Sequence, residues 1–218
     1  MRTHFDKQLD KLNDELIEMG SMIEKAIEHT IKALVTQDID LANYVIESDE
    51  QVNRQERDIE SLCLKLLLQQ QPVARDLRSV SSALKMISDM ERIGDQSLDI
   101  IEIVEYVKKC DRESKQYIEE MSNAAGKMVS DSVEAFVRKD EQLAKDVIAS
   151  DDKVDLLFDI MKKRLIETIS KEQANGEMYI DLIMIAKYYE RIGDHATNIA
   201  EWVLYYLTGT KVSGNKDS

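Results

Sequence analysis

Glu91 and Asp95 stand four residues apart in Glu91-Arg92-Ile93-Gly94-Asp95, and the same five residue types return 99 positions later as Glu190-Arg191-Ile192-Gly193-Asp194. On a helix, residues four apart lie one above the other on one face, so each copy stacks two carboxylates. A second pair of oxygen side chains precedes each motif: Asp49 with Asn53, and Asp151 with Asp155. If the helices of each half fold back on one another, four oxygen donors meet across one interface. Charges about 4 Å apart repel by roughly 4 kcal/mol at an effective dielectric near 20, so such a set needs a cation or shared protons. All-oxygen sites favour magnesium, calcium or manganese, and carboxylate-rich helical bundles also hold iron. The candidate metal ligands are Asp49, Glu91, Asp95, Asp151, Asp155, Glu190 and Asp194. A plainer reading stands beside this one. Arg92 and Asp95, like Arg191 and Asp194, are three apart and could form an exposed ion-pair strip.

The positions of these carboxylates weigh against a purely solvated strip. Leu84, Glu91 and Leu98 are spaced by sevens, as are Ile183, Glu190 and Thr197, so each glutamate interrupts an apolar seam. Asp49 lies between Val45 and Val52, and Asp151 between Val147 and Val154. Gly94 and Gly193 sit mid-helix, where each costs about 1 kcal/mol relative to alanine. A glycine kept there twice implies close approach of a neighbouring helix or a ligand. His195 and Asn198 could join the second site, although surface hydrogen bonding is the simpler role, and His29 reads as an exposed helical residue. The ladder Asp6, Asp10, Asp14 and Glu18 suits the start of a helix, where it complements the dipole. Trp202, Tyr205 and Tyr206 read as packing residues, with an exposed docking patch as the alternative.

The elements that must carry these residues follow from a duplication. Ala33-Leu34-Val35, Asp38, Leu41-Ala42, Val45-Ile46, Ser48-Asp49 and Val52 match Ala135-Phe136-Val137, Asp140, Leu143-Ala144, Val147-Ile148, Ser150-Asp151 and Val154 at an offset of 102. The later motif has an offset of 99, so a three-residue difference falls between them. The breakers Pro72 and Asn175-Gly176 mark that place, near 69–74 and 174–178. An internal repeat of this kind settles the architecture as all-α. Helices are expected over about 3–36, 39–70 and 74–109, then 112–138, 141–173 and 177–208, with Asp38 and Asp140 as N-caps. The corresponding domains are 1–109 and 110–208, followed by a flexible tail over 209–218. Counting from Pro72, Asp49/Asn53 and Glu91/Asp95 are both about 21 residues away and therefore level. From Asn175 the counts are about 22 and 17, level to within one or two turns.

Composition supports helices and limits the partners. The 218 residues include one Pro and seven Gly, and 33% are charged, which leaves little room for a strand-and-turn fold. A formal net charge of −14 opposes binding to nucleic acid or anionic lipid and suits cations and basic protein surfaces. Cys63 and Cys110 form neither a disulfide framework nor a metal-ligand spacing. With no apolar leader after Met1 and no run of spanning length, a cytoplasmic protein is expected, reaching a membrane only through partners.

Gln71-Pro72-Val73-Ala74-Arg75-Asp76-Leu77-Arg78, the two copies above, and the stretch Glu190-Arg191-Ile192-Gly193-Asp194-His195-Ala196-Thr197-Asn198-Ile199-Ala200-Glu201 together resemble the PhoU family. The resemblance spans nearly the whole chain. It implies two tandem three-helix bundles of six long helices, related by pseudo-two-fold symmetry. In some members the family's E/D-x-x-x-D motifs hold iron or zinc clusters, making those the expected metals, with manganese or magnesium as alternatives. Carried over, the motifs fall on Glu91/Asp95, Asp151/Asp155 and Glu190/Asp194. Asn53 departs from the pattern beside Asp49, which makes the second copy the fuller site. The resemblance further implies a regulator that connects a phosphate ABC transporter, through its ATPase subunit, to a membrane sensor histidine kinase and represses the phosphate-starvation response. A homodimer is expected.

Two other classes compete with a non-enzymatic regulator. A ferritin-like redox protein needs Glu-x-x-His pairs, and Met1, Ala26 and Ile192 stand three residues before the three histidines. A purely structural, oligomerising bundle would need none of the carboxylates. No phosphate-cradling glycine loop and no nucleophile–base constellation is legible.

Overall fold

Val45, Val52, Ile59 and Leu66 recur every seven residues, and all four are buried. That stripe turns one face of a long helix toward its neighbours. The computed structural model describes residues 2–69, 73–107, 111–171 and 175–210. They form six helices: α1 (Arg2–Thr36), α2 (Ile39–Gln69), α3 (Ala74–Val104), α4 (Arg112–Arg138), α5 (Glu141–Lys171) and α6 (Gly176–Thr208). Helices α1, α2 and α3 pack on one another, as do α4, α5 and α6. The two bundles join through α3 against α6 and α1 against α4, as pseudo-two-fold symmetry requires. Gln71, Pro72, Cys110 and the tail from 211 lie outside the described residues.

The α1–α2 and α4–α5 corners repeat each other closely. Gln37 and Lys139, equivalent in the duplication, both adopt left-handed φ angles of 57° and 59°. Each reverses the chain directly before an aspartate cap. Asp38 Oδ1 accepts from the Asp40 amide at 2.9 Å, and Asp140 Oδ1 from the Leu143 amide at 3.0 Å. These bonds satisfy donors that a helix start leaves open.

Helix α3 ends at Val104, short of the 109 expected from the apolar pattern. The amides of Tyr106 and Val107 bond back three residues, to Ile103 and Val104, which tightens the last turn. Val107 is thereby buried, and its carbonyl accepts from the Gln37 side chain at 3.2 Å. A tertiary tether thus overrides a pattern that would continue the helix.

Small residues let α1 and α4 approach: a β-carbon on Gly20 would stand 3.3 Å from Val133, and one on Gly126 3.6 Å from Ile27. Above this crossing, Tyr189 of α6 is fully buried and shares a 2.6 Å hydrogen bond with Thr30 of α1. Burial pushes the Tyr189 phenol up to about 12 despite its hydrogen bonding with Thr30 and Ser122. Tyr206 packs at 5.3 Å from Phe136, and Trp202 meets Tyr205 edge-on, so the aromatic end of α6 is packing material.

Candidate functional site

Helices α2 and α3 carry the first set of carboxylates. Asp49 and Gly94 face one another across their interface: a β-carbon on Gly94 would stand 3.6 Å from Asp49 Oδ1 and 3.3 Å from Val52 Cγ1. The glycine therefore clears space for the aspartate of the next helix. Because Gly94 lies between Glu91 and Asp95, the two oxygen pairs are level, as the residue counts imply. Helices α5 and α6 repeat the arrangement, with Gly193 3.4 Å from Asp151 Oδ1 by the same measure.

The second half is as level as the first, although its counts from the turn were unequal. From Ala74 to Gly94 is 20 residues, and from Gly176 to Gly193 is 17. Relative to its motif, helix α6 begins about one turn later than α3, while the connections 70–73 and 172–175 are equally long. The three-residue difference is absorbed at the helix start.

The two sites differ in charge. In the first half, Asn53 donates to Asp49 Oδ2 at 3.0 Å, while Asp49 Oδ1 is buried without a hydrogen-bond partner. The carboxyls of Asp49 and Glu91 are pushed up, foremost by burial and then by the Asp95 charge. Glu56 belongs to the same group. Its carboxyl is raised by burial and Glu60, with Asp95 contributing, and it in turn raises Glu91. Sequence reasoning missed Glu56, and the signal was present: it stands seven residues after Asp49, and the duplication aligns it with Phe158. Copy one thus has Asn53 and Glu56 where copy two has Asp155 and Phe158. Both halves carry four carboxylates.

In the second half, a cation already sits beside the glutamate. Lys187 Nζ lies 2.5 Å from Glu190, whose side chain is 12% exposed, and 5.3 Å from the Phe158 ring centroid. The equivalent residue in copy one is Ser88. Asp151 is buried, and Asp155 and Asp194 are half-buried nearby on their helices. Among the described residues no ion pair joins Arg92 to Asp95, and the Arg92 charge acts on Glu91, where it partly offsets the upward shift.

His195 turns to the other bundle. Its Nδ1 lies 2.9 Å from Asp89 of α3, and Asn198 donates to the same oxygen at 3.2 Å. This is the hydrogen-bonding role, placed at a helix interface. His29 is half-buried and edge-on to Tyr44 at 4.3 Å rather than exposed, because α2 folds over it. Cys63 is fully buried, with its thiol pushed up to about 12 by burial, so it is inert as a ligand.

The donor chemistry fits a cation: all-oxygen, negatively charged, and holding in Asp49 Oδ1 a buried acceptor with no hydrogen-bond partner. The side chains nonetheless do not converge. Among the described residues, no three His, Cys, Asp or Glu side chains gather closely enough to hold a metal ion. Side-chain rotation would have to bring them in, while the backbone already places Asp49 and Asp151 against the glycine of each motif.

Comparison with known proteins places the chain in a family. The PhoU domain model matches residues 16–104 and 118–203. A phosphate-specific transport system accessory protein PhoU homolog from Clostridium acetobutylicum is 33% identical over 216 residues, covering 98% of this chain and 99% of that protein. The homolog from Pseudomonas aeruginosa is 33% identical over 210 residues, covering 95% and 87%. The crystal structure of PhoU from Pseudomonas aeruginosa superposes with a TM-score of 0.90 at 32% identity, covering 94% of this chain and 100% of that one. The phosphate transport system regulatory protein PhoU from Streptococcus pneumoniae gives 0.86 at 27% identity, covering 96% and 99%. The chain belongs to the PhoU family.

Proposed function

We propose that this protein is a non-enzymatic regulator of phosphate uptake and phosphate-starvation signalling. It would couple the ATPase subunit of a phosphate ABC transporter to a sensor histidine kinase and act negatively. The observation that carries this reading is similarity over nearly the full length of both chains to phosphate-specific transport system accessory proteins and a phosphate transport system regulatory protein. An acidic surface suits docking to basic protein faces. Among the described residues no helix is long and apolar enough to cross a membrane, so membrane contact would come through partners. The test is phosphate-starvation gene output in a deletion strain under phosphate-replete conditions. Loss of repression is expected; unchanged repression would overturn the reading.

The carboxylates of both halves are proposed to hold divalent or transition cations. Asp49, Glu91 and Asp95, joined by Glu56, would serve one site, and Asp151, Asp155, Glu190 and Asp194 the other. An all-oxygen set suits iron, manganese or magnesium at least as well as zinc. A bound cation would neutralise the mutual repulsion across each helix interface. Elemental analysis of protein purified without chelator should find metal. No metal, together with thermal stability indifferent to added iron, zinc, manganese or magnesium, would refute this part. The proposed homodimer is tested separately by native mass.

A further inference from the structure

About one to two turns along α2 and α3 from the first carboxylate site, the α1–α2 corner and the end of α3 line an open groove of about 860 Å³. Its floor is apolar and buried, with Ala33, Ile101 and Val104 at its base. Ile39, Ile46 and Tyr106 line it at 74%, 48% and 65% exposure, leaving three large side chains with apolar surface in water. The charged part of the lining is acidic, from Asp38, Glu102 and Glu105, beside the neutral amides of Gln37 and Asn43. Asp181 of α6 extends the negative rim: its charge and that of Glu102 reach Tyr106, whose phenol is raised foremost by its hydrogen bond to Glu105. None of the described lining residues is a lysine or arginine. Lys108 and Lys109 lie outside the described residues. Beside the groove, the Gln37 side chain donates to the carbonyls of Leu34 and Val107, linking the end of α1 to the segment after α3.

We infer that this groove is a docking site for a basic amphipathic helix of a partner protein. The apolar stripe of such a helix would cover Ile39, Ile46 and Tyr106 while its lysines or arginines met Asp38, Glu102 and Glu105. Helix-in-groove recognition of this kind takes its affinity from the apolar face and its orientation from the charged rim. An acidic helix would be repelled by the rim, and a wholly polar cation would leave the apolar floor wet. The inference does not rest on the phosphate-signalling reading.

The test uses the full chain and a fluorescein-labelled helical peptide of leucine and lysine with leucines on one face, followed by fluorescence anisotropy. A leucine–glutamate peptide of the same pattern serves as the control. Glu102→Lys with Glu105→Lys, and separately Ile46→Ser, should each weaken the leucine–lysine peptide by about tenfold or more. The equally charged pair Glu119→Lys with Glu120→Lys, on exposed α4, should leave it unchanged. All these positions are exposed, and circular dichroism checks that folding is intact. Equal weakening by the two charge-reversal pairs would show only general acidic attraction and overturn the inference. So would an unaffected Ile46→Ser variant, or equal binding of the glutamate peptide. A change in native mass on Ile46→Ser without any peptide binding would assign the groove to a second copy of this chain instead.

Discussion

Gly94 opens the space that Asp49 occupies, with Asp49 Oδ1 3.6 Å from the point where a β-carbon on residue 94 would stand. Gly193 stands in the same relation to Asp151, but with a difference that sets the relative size of a mutation's effect. A β-carbon on Gly193 would make ordinary contacts of 3.4 Å or more, whereas one on Gly94 would press Val52 at 3.3 Å. Alanine gains about 1 kcal/mol of helix propensity over glycine. Gly193→Ala is therefore expected to stabilise the metal-free protein by up to about 1 kcal/mol, and Gly94→Ala by less. Urea unfolding of both variants checks the order, and a strongly destabilised Gly193→Ala would contradict it.

Glu56 makes the first half sensitive to pH. Its carboxyl, with those of Asp49 and Glu91, is raised in the folded state by burial foremost. A raised carboxyl holds its proton better folded than unfolded, so stability falls as pH rises from the ordinary carboxylate range, near 4, through the folded value. Glu56→Gln should then be more stable than the parent at pH 7 in chelator by a few tenths to about 1 kcal/mol. The advantage should vanish below about pH 4. A constant difference at all pH values would show that Glu56 is uncoupled from its neighbours.

Lys187 neutralises part of the second site from within. Lys187→Ala should lower the stability of the chelated protein by up to about 1 kcal/mol. On the cation reading it should also enlarge the rise in melting temperature produced by manganese. An unchanged response to manganese would detach Lys187 from that site.

Asp111 caps α4, accepting from the amides of Glu113 and Ser114 at 3.1 and 3.0 Å, and it pairs with Arg164 of α5 at 2.8 Å. Burial raises its carboxyl, but the hydrogen bonds from Ser114 and Arg164 outweigh this and hold it at about 2. A lowered carboxyl stabilises above its unfolded pKa, near 4, and loses that contribution as pH falls toward 2. Asp111→Ala should cost about 1 kcal/mol at neutral pH and progressively less between pH 4 and 2. Thermal melts across that interval measure it. A cost independent of pH would assign the effect to packing instead.

The sequence by itself determined the helices, their duplication and the face on which each carboxylate pair lies. Those properties follow from local periodicity: Val45 and Val52 flank Asp49 whatever the neighbours do, and Asp38 and Asp140 cap helices using bonds made within a few residues. It also carried the levels of the two pairs in the first half, because rise per residue is nearly constant along a helix. Only the tertiary structure decided which charges meet. The spacing of seven puts Glu56 on the Asp49 face of α2, but it meets the charges of Glu91 and Asp95 only because α3 packs against α2. Helix α3 stops at Val104 because Gln37, far earlier in the chain, captures the Val107 carbonyl. The repeated ERIGD motif is identical in its two copies, yet Lys187 accompanies one and Ser88 the other. Electrostatics acts through space, so equal motifs acquire unequal charge from the helices packed around them.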